Sequence, residues 1–452
     1  MKTVFVTLFQ GVEAKNLLRT GVVRYLLAGD DTEVVLLVTS ESRKEHYAKE
    51  FSDPRLRYEV VRWQPRGFWE RLLARLKFFT LKTATTDLRR RMIWERRERA
   101  VGYRIGKRIN GWLARPRVRA WLRRIDERFA RDHTFAPLFE RYQPRAVLAA
   151  HLFDDAENAL VREAKRRRVP VIGFINSWDK LTARSALRLL PDTLLVFNAI
   201  VRDEAIQYAD MPAERIAIAG IPQYDRYVGY RPTFRSDFLK KIGLAPNERF
   251  VLYAPMGEAF STSDWDIIDL LHRWETNGSF GPEVKLFVRF QPNDTFAKQE
   301  MERRPWLRYD RPGTRFSAAR GVDWDMGEDE LTHLADTLAH MEMLICYASS
   351  MSVDAACFDK PIINIDFEMH VNERLLKSPT QFYQMAHYKN ALATGAIRMP
   401  KSPDELLGMI QAYLADPAQD REARSRLVAE QCGPFDGHAA ERLAAAILRA
   451  AK

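Results

Sequence analysis

A serine-rich turn near residue 350 has the residue types of a phosphate-binding site. A turn of mostly small and hydroxyl-bearing residues follows an apolar run at 341–347, and it contains Ser349, Ser350, Met351 and Ser352. A helix that begins there presents unpaired N–H groups and the positive end of its dipole, which attract phosphate oxygens. Asp354 lies one helical turn further on, where its carboxylate can contact a ribose. The turn therefore predicts a nucleotide site; the alternative is an ordinary helix start, capped by Ser350 or Ser352.

Acidic residues follow two predicted strands, at positions where a general base could act. Asp179 comes soon after one apolar run, and Asp154 and Asp155 follow another. A general base must lie within hydrogen-bond reach of the hydroxyl that it deprotonates. Asp179 is the first candidate and Asp155 the second, with Asp154 competing for the role; the alternative for Asp179 is a helix N-cap. We expect His151 to be a hydrogen-bonded residue at a strand end.

Three residues of the second half are candidates for binding a leaving diphosphate. Arg289 ends a predicted strand, Gln291 follows it, and Gly257 follows the neighbouring run 250–254. A guanidinium is always charged and matches pairs of phosphate oxygens. We therefore expect Arg289 to stabilise the leaving group; the alternative is a structural salt bridge.

Strands and helices alternate along the chain, as in parallel sheets covered on both faces. The predicted strands lie at 4–9, 33–38, 58–62, 146–150, 169–175, 193–197, 216–220, 250–254, 285–290, 343–347 and 362–366. Predicted helices include 13–27, 155–168, 202–208 and 235–242. Ligands of such sheets bind outside the carboxyl ends of the strands. We expect an α/β fold of two doubly wound halves, joined near 225–235 and facing each other across a cleft.

Length and composition are those of a two-domain globular protein. The chain has 452 residues, of which 46% are hydrophobic, and it lacks the roughly 18 consecutive apolar residues of a membrane span. The apolar start at 3–9 is too short for a signal peptide and predicts a buried strand. Three cysteines without metal-ligand spacing indicate buried thiols in a reducing compartment. We therefore expect a cytoplasmic protein.

The segment 66–131 differs in composition from the rest of the chain. It has 21 Lys and Arg against 6 Asp and Glu, a net charge of +15, whereas the whole chain carries +11 and the remainder therefore −4. Aromatic and leucine residues recur near helical spacing between the basic ones, for example at Phe68, Trp69, Leu72 and Leu76. This composition predicts a helical insertion that contacts an anionic membrane surface. The alternatives are a solvated helical pair packed on the first domain, and nucleic-acid binding.

Four short motifs, in this order along the chain, resemble those of GT-B glycosyltransferases. They are AGIPQYD at 219–225, FVRFQPN at 287–293, the serine-rich turn with Asp354, and FDGHAAER at 435–442. The resemblance is to the bacterial surface-polysaccharide and CDP-glycerol glycerophosphotransferase-like branch, which is related to the UDP-GlcNAc 2-epimerases. Gln291 departs from the pattern, because many members have His there.

The resemblance implies roles for several residues. The donor's phosphates and ribose would bind at Ser349, Ser350, Ser352 and Asp354. The block WDKLT at 178–182 resembles a W-D-x-L-T signature, which makes Asp179 the general base and brings Trp178 and Lys180 to the acceptor. The turn at 10–16 would face the reaction centre, where Gly11 permits close approach and Lys15 or Asn16 contacts a substrate; the alternative is a solvent-facing Lys15.

The expected function is transfer of a sugar from a nucleotide-sugar donor to a surface-glycan or lipid-linked acceptor. The alternatives are UDP-sugar 2-epimerisation, transfer of a polyol phosphate, and a non-catalytic glycan- or nucleic-acid-binding protein. We expect an acceptor domain at 1–228, a nucleotide-donor domain at 229–435 and a closing helix at 436–452. The acidic run 323–330 is interpreted as a solvated loop and helix start, so no metal or other cofactor is expected.

Overall fold

The structure, a computed structural model, describes residues 1–65, 67–95, 100–292, 294, 298–316, 324–370 and 374–452. The chain divides into two compact units. Unit 1 consists of Met1–Arg90, Arg99–Val228 and Cys432–Lys452, and unit 2 of Arg91–Glu98 and Gly229–Gln431. No helix in the described parts of the chain is both long and apolar enough to cross a bilayer.

Unit 1 is built on a parallel sheet with the order β3-β2-β1-β4-β5-β6-β7. Its strands are β1 (Lys2–Leu8), β2 (Thr32–Val38), β3 (Leu56–Val60), β4 (Ala146–Ala149), β5 (Val171–Phe174), β6 (Thr193–Val196) and β7 (Ile216–Ile218). All seven strands expected from the apolar runs are present. Residues 34–38 of β2 are fully buried, because a parallel sheet is covered by helices on both faces.

The helices of the first half alternate with these strands. They are α1 (Gly11–Leu17), α2 (Val22–Leu26), α3 (Glu41–Glu50), α4 (Phe68–Leu76), α5 (Ala84–Glu95), α6 (Ala100–Leu113), α7 (Pro116–Phe129), α8 (Ala136–Tyr142), α9 (Asp155–Arg166), α10 (Lys180–Ala183) and α11 (Ala199–Ala209). The segment 66–131 thus contains the helices α4 to α7, with a 3₁₀ turn at Lys77–Thr80. The single helix expected at 13–27 is wrong. The Thr20 hydroxyl donates to the Asn16 carbonyl at 2.8 Å and Gly21 starts α2, so the chain forms two short helices instead.

Unit 2 has a second parallel sheet, with the order β10-β9-β8-β13-β14-β15. Its strands are β8 (Arg249–Ala254), β9 (Val284–Arg289), β10 (Tyr309–Asp310), β13 (Leu344–Cys346), β14 (Ile362–Asn364) and β15 (Ile397–Arg398). A separate antiparallel pair joins β11 (Thr314–Arg315) to β12 (Trp324–Asp325). The four strands expected in this half are present, and the short edge strands β10 and β15 were not expected.

The helices of the second half cover this sheet. They are α12 (Arg235–Lys241), α13 (Asp264–Thr276), α14 (Lys298–Glu302), α15 (Glu328–His340), α16 (Met351–Cys357), α17 (Ala386–Ala393), α18 (Pro403–Ala415) and α19 (Arg421–Gln431). The acidic run was expected to be a solvated loop and a helix start. The helix α15 does begin at Glu328, but Asp325 is 1% exposed and lies in β12, so that part of the expectation is wrong. Asp323 lies outside the described residues.

The last helix, α20 (Ala439–Ala450), belongs to unit 1 and is capped by a distant carboxylate. Asp225 accepts hydrogen bonds from the N–H groups of Ala439 and Ala440, at 3.0 and 2.8 Å. The Arg442 guanidinium donates to the Ala219 carbonyl at 2.9 Å. The motifs at 219–225 and 435–442 therefore meet, and in this structure their contacts stabilise the fold.

Candidate active site

Polar side chains meet at the carboxyl edge of the unit 1 sheet. β1, β4 and β5 are adjacent and parallel, so the residues that follow them lie side by side. His151 is central: its Nδ1 lies 3.0 Å from Gln10 Nε2 and its Nε2 lies 2.9 Å from Lys180 Nζ. His151 and Lys180 are each 5% exposed. Gln10 lies 141 positions before His151 and Lys180 lies 29 positions after it, so distant residues form one cluster, which we call the Lys180–His151–Gln10 cluster.

Burial controls the protonation of this cluster. Desolvation, together with the charge on Lys180, holds the pKa of His151 well below its usual range, so the imidazole is neutral. Burial also lowers the pKa of Lys180 to about 8. An ammonium on Lys180 can only donate, so its hydrogen bond requires an unprotonated Nε2 on His151. The cluster therefore places one proton donor with a pKa close to neutrality at the sheet edge.

Two glutamates are fully buried next to this cluster, at equivalent positions of α1 and α9. Glu13 accepts hydrogen bonds from the N–H groups of Phe9 and Gln10. Glu157 accepts from the Thr7 hydroxyl and, at 2.7 Å, from the His151 N–H. Burial raises the pKa of Glu13 to about 8 and raises that of Glu157 well above its usual range. Both carboxyls therefore favour the protonated form and fix the strand ends that carry the cluster.

Asp179 and Asp155, the two candidates for a general base, have different surroundings. Asp179 is half-buried and accepts a hydrogen bond from Ser177 Oγ at 2.5 Å. It precedes α10, but its side chain does not cap that helix. Asp155 accepts from Lys77 Nζ at 2.7 Å and from Arg188 at 3.0 Å. Two cations thus hold the Asp155 carboxylate, which makes it an ion-pair residue.

The other acidic candidate and the expected acceptor residues occupy nearby positions. Asp154 accepts from the Ala156 N–H at 2.8 Å and is the N-cap of α9. Trp178, next to Asp179, is half-buried. Gly11 is buried at the start of α1, and Lys15 is half-buried on the same helix. Asn16 was expected to contact a substrate, yet it is fully buried and donates to the Val12 carbonyl, so it stabilises its own helix.

The serine-rich turn follows β13 at the carboxyl edge of the unit 2 sheet, as expected. Ser350 is exposed, and Ser349 and Met351 are half-buried. The Ser349 N–H donates to the Tyr388 hydroxyl at 3.2 Å, and Ser349 Oγ accepts from the Met351 N–H at 3.2 Å. The exposed part of the turn is therefore held in place by Tyr388.

Ser352 and Asp354 differ from their expected positions. Ser352 is fully buried, and its hydroxyl donates to Asn364 Oδ1 at 3.1 Å and contacts the Tyr388 hydroxyl. Asp354 is only 6% exposed. The helix α16 has seven residues, and the N–H groups of Ser352 and Val353 donate to carbonyls of the turn itself. A ligand at this turn would therefore contact the side chains of Ser349, Ser350 and Met351 rather than a ring of free helix amides.

The loop after β8 packs against the loop after β9. Gly257 has a positive φ of +90°, and an added Cβ would lie 2.3 Å from Asp294, so only glycine fits there. Gln291 Nε2 donates to the Met256 carbonyl at 2.9 Å. Asp264 accepts from the Gly257 N–H at 2.8 Å, and burial raises the pKa of its carboxyl to about 6. Gly257 and Gln291 are thus adjacent, as expected of one site.

Arg289, expected at a leaving group, is 4% exposed and forms an ion pair within unit 2. Its Nη1 donates to Asp310 Oδ2 at 2.7 Å, and His333 Nε2 contacts the same oxygen at 2.7 Å. Although burial opposes ionisation, the hydrogen bonds from His333 and Arg289 hold the pKa of Asp310 below its usual range. These contacts are those of a structural salt bridge, which was the alternative to a role of Arg289 at the leaving group.

Sequence reasoning assigned no role to Glu13, Glu157 or Tyr388. A signal was available for the glutamates, since each lies within one helical turn of the start of a helix that follows a buried strand. Tyr388 is 36 residues from Ser352 and gave no local signal.

Among the described residues, no group of three or more His, Cys, Asp or Glu is arranged to hold a metal ion. Asn293, part of the expected 287–293 motif, lies outside the described residues.

Comparison of sequences alone gives no relative, since no family model and no curated protein matches the chain. Comparison of structures finds proteins with a similar fold. A UDP-GlcNAc 2-epimerase from Neisseria meningitidis, bound to UDP-GlcNAc, matches with a TM-score of 0.57 and 10% identity, over 99% of this chain and 100% of that one. A glycosyltransferase from Rickettsia africae matches with a TM-score of 0.51 and 7% identity, over 99% of each chain.

The wall teichoic acid polymerase TagF, in a variant soaked with CDPG, is a third similar structure. It matches with a TM-score of 0.51 and 10% identity, over 100% of this chain and 88% of that one. At such low identity the likeness concerns the fold and not the activity. This structural likeness, together with the two doubly wound parallel sheets, shows that the chain has the GT-B fold, as the sequence motifs predicted.

Proposed function

We propose that this protein is a glycosyltransferase that moves a sugar from a nucleotide-sugar donor to a surface-glycan or lipid-linked acceptor. The observation that carries the proposal is the Lys180–His151–Gln10 cluster with Asp179 beside it, at the carboxyl edge of the unit 1 sheet. Ligands of open α/β sheets bind at this edge. Enzymes of similar fold have been solved with UDP-GlcNAc and CDPG, which supports a nucleotide-activated donor.

In this proposal Asp179 accepts the proton of the acceptor hydroxyl while that oxygen attacks the anomeric carbon. Lys180 places a positive charge next to this carboxylate. Trp178 and Lys180, with Lys15 and Gly11 of the first turn, contact the acceptor. The neutral His151 orients the Lys180 ammonium through the 2.9 Å contact.

The donor's nucleotide binds in unit 2 at the exposed face of the serine-rich turn. Ser349, Ser350 and Met351 are the accessible residues, and Gly257 with Gln291 forms a second wall of the same sheet edge. Arg289 remains a candidate for the leaving diphosphate only if a ligand displaces its ion pair with Asp310. The proposal includes no metal ion or other cofactor, so turnover is expected to persist in EDTA.

A thermal-shift panel of UDP-, GDP-, CMP- and CDP-linked ligands tests the donor half of the proposal. A ligand that binds the folded state stabilises it by about 2.7 kcal/mol at 100 times its Kd. One nucleotide class is expected to raise the melting temperature. Transfer is then assayed with that sugar nucleotide and a lipid-linked acceptor. Nucleotide binding without transfer or hydrolysis would favour a non-catalytic binding protein, and absence of any nucleotide shift would reject the proposal.

A second candidate is 2-epimerisation of a UDP-sugar. Epimerisation at carbon needs a group that takes and returns a proton near neutral pH, and Lys180, with a pKa lowered to about 8, has this property. Interconversion of UDP-GlcNAc in the absence of any acceptor, followed by proton NMR, would favour this candidate. Release of CMP from CDP-glycerol in the presence of acceptor would instead indicate transfer of a polyol phosphate.

A further inference from the structure

Buried ion pairs fix the basic insertion to the rest of unit 1. Arg188 donates to Glu70 of α4 at 2.7 Å and to Asp126 of α7 at 2.8 Å. Arg162 of α9 lies 3.0 Å from the same Glu70 carboxylate. These four side chains are at most 5% exposed. The insertion is therefore a docked part of unit 1, and its opposite face is available to other molecules.

That available face carries an apolar stripe along α6. Val101, Ile105, Ile109 and Trp112 are spaced by four, four and three residues, so they lie on one side of the helix. Their exposed fractions are 70%, 54%, 43% and 54%. A helix on a soluble protein normally turns such a stripe toward the core. Here the apolar side faces outward, which is the arrangement of an interfacial helix.

The stripe borders a groove of about 620 Å³ between α4, α6 and α7. Three tryptophans line it, namely Trp69, Trp112 and Trp121, and leucine and isoleucine side chains form most of the remainder. Trp121 is 56% exposed, and Phe68 on α4 is 69% exposed. An apolar groove open to solvent and lined by indoles suits an acyl chain at the level of the lipid headgroups.

The rim of the groove is basic. Arg104, Lys107 and Arg108 are exposed on α6, and α6 contains no acidic residue. Further exposed cations of the insertion are Arg71, Arg75, Arg115, Arg117, Arg124 and Arg128. Cations around an apolar face match anionic headgroups around acyl chains. A nucleic acid would complement the charge but would leave the aliphatic stripe of Val101 and Ile105 uncovered.

We propose that α6 and the groove dock on an anionic phospholipid bilayer. The stripe and the tryptophans enter the headgroup and upper acyl region, a lipid chain occupies the groove, and the flanking Arg and Lys contact phosphates. The proposal goes beyond the transferase assignment and does not depend on it, because docking is measured without nucleotide or acceptor.

Flotation of the full chain with vesicles provides the first test. Vesicles of 70% phosphatidylcholine and 30% phosphatidylglycerol are expected to bind the protein at low salt, and pure phosphatidylcholine vesicles to bind at least about tenfold less. Trp112→Ser with Trp121→Ser is expected to weaken binding about tenfold or more. Phe234→Ser is the matched control, because Phe234 is 82% exposed and lies in unit 2. Arg104→Ser with Arg108→Ser should also weaken binding, whereas Lys240→Ser with Lys241→Ser, an exposed pair on unit 2, should not.

Quenching by brominated acyl chains provides the second test. Trp112→Phe with Trp121→Phe keeps the apolar surface, so flotation should persist while quenching of tryptophan emission falls. Absence of vesicle binding at low salt would overturn the proposal. Vesicle binding that is unchanged in the Trp112→Ser and Trp121→Ser variant would also overturn it. Two further results would do the same: a solution dimer that the serine variants dissociate, and tight binding of single-stranded RNA that the serine variants abolish.

Discussion

Lys180 Nζ lies 2.9 Å from His151 Nε2, and both side chains are buried in segments that follow the neighbouring parallel strands β5 and β4. Since burial keeps the imidazole neutral, the contact is a hydrogen bond from an ammonium to a ring nitrogen. A cation is thereby held in a fixed position at the sheet edge, and Gln10 Nε2 lies 3.0 Å from the other ring nitrogen.

Replacing Lys180 tests the importance of this cation. Lys180→Met is expected to lower turnover about 100-fold, because the positive charge beside Asp179 is lost. It should also raise the pKa of His151, since desolvation is the main cause of its lowering and the Lys180 charge the next. Titration of ¹⁵N-labelled histidine by NMR measures that change. Lys165→Met, in the same unit and 28% exposed, is the control; equal turnover of the two variants would contradict the assignment.

The two acidic candidates should respond differently to the same substitution. Asp179→Asn removes a basic oxygen and is expected to lower kcat about 10²- to 10⁴-fold with little change in melting temperature. Asp155→Asn weakens contacts to Lys77 and Arg188, so its main effect should be a loss of about 1–3 kcal/mol in the free energy of unfolding. Steady-state kinetics and urea unfolding of both variants distinguish the roles. A severe loss of kcat in a stable Asp155→Asn protein would instead make Asp155 the general base.

Arg289 is expected to contribute mainly to stability. Arg289→Met leaves a largely buried Asp310 without one cation, which should cost about 3 kcal/mol of unfolding free energy. Arg308→Met, whose side chain is 34% exposed and pairs with Glu275 at 3.0 Å, should cost less than about 1 kcal/mol. Chemical denaturation measures both. If Arg289→Met were as stable as the control yet lost its nucleotide-induced thermal shift, the donor-binding role would be supported instead.

The buried Glu13 predicts a pH dependence of stability. Burial raises its pKa from 4.5 to about 8, so the folded state binds a proton that the unfolded state releases. Its contribution to stability is therefore complete below pH 4.5 and is lost as the pH rises through about 8. Between pH 5.5 and 8.5 the wild type should lose more unfolding free energy than Glu13→Gln, which carries no titrating proton. Parallel slopes in urea titrations of the two proteins would contradict this.

Asp225 is expected to stabilise the C-terminal helix. It accepts from the N–H groups of Ala439 and Ala440 at the start of α20. Asp225→Ala should cost about 1–2 kcal/mol, the usual effect of losing a helix cap. Asp404→Ala, an exposed acid in the first turn of α18, is the control and should cost a few tenths of a kcal/mol. Amide hydrogen exchange across 439–450 should accelerate in the first variant alone.

The positions of the parallel strands along the chain were predictable because each strand has a local residue pattern, whereas their order within each sheet was not predicted. Apolar runs such as 34–38 are bounded by polar turns, and a strand that is buried on both faces consists almost entirely of apolar residues. The break between α1 and α2 was missed, because helix periodicity shows neither the hydrogen bond from the Thr20 hydroxyl to the Asn16 carbonyl nor the position of Gly21 as the N-cap of α2. The turn around Ser350 was located correctly, but Tyr388, which holds it, lies far along the chain.

The sequence by itself therefore determined the doubly wound fold, the position of polar loops at the carboxyl ends of the strands, and the basic, aromatic character of the insertion. Only the tertiary structure decided which polar residues remain accessible. It paired Asp155 with Lys77 and Arg188, and it buried Ser352 against Asn364. It also joined Lys180 to His151. The physical reason is that strand formation depends on neighbours in the chain, whereas the protonation and pairing of a charged side chain depend on groups that only folding brings within 3 Å.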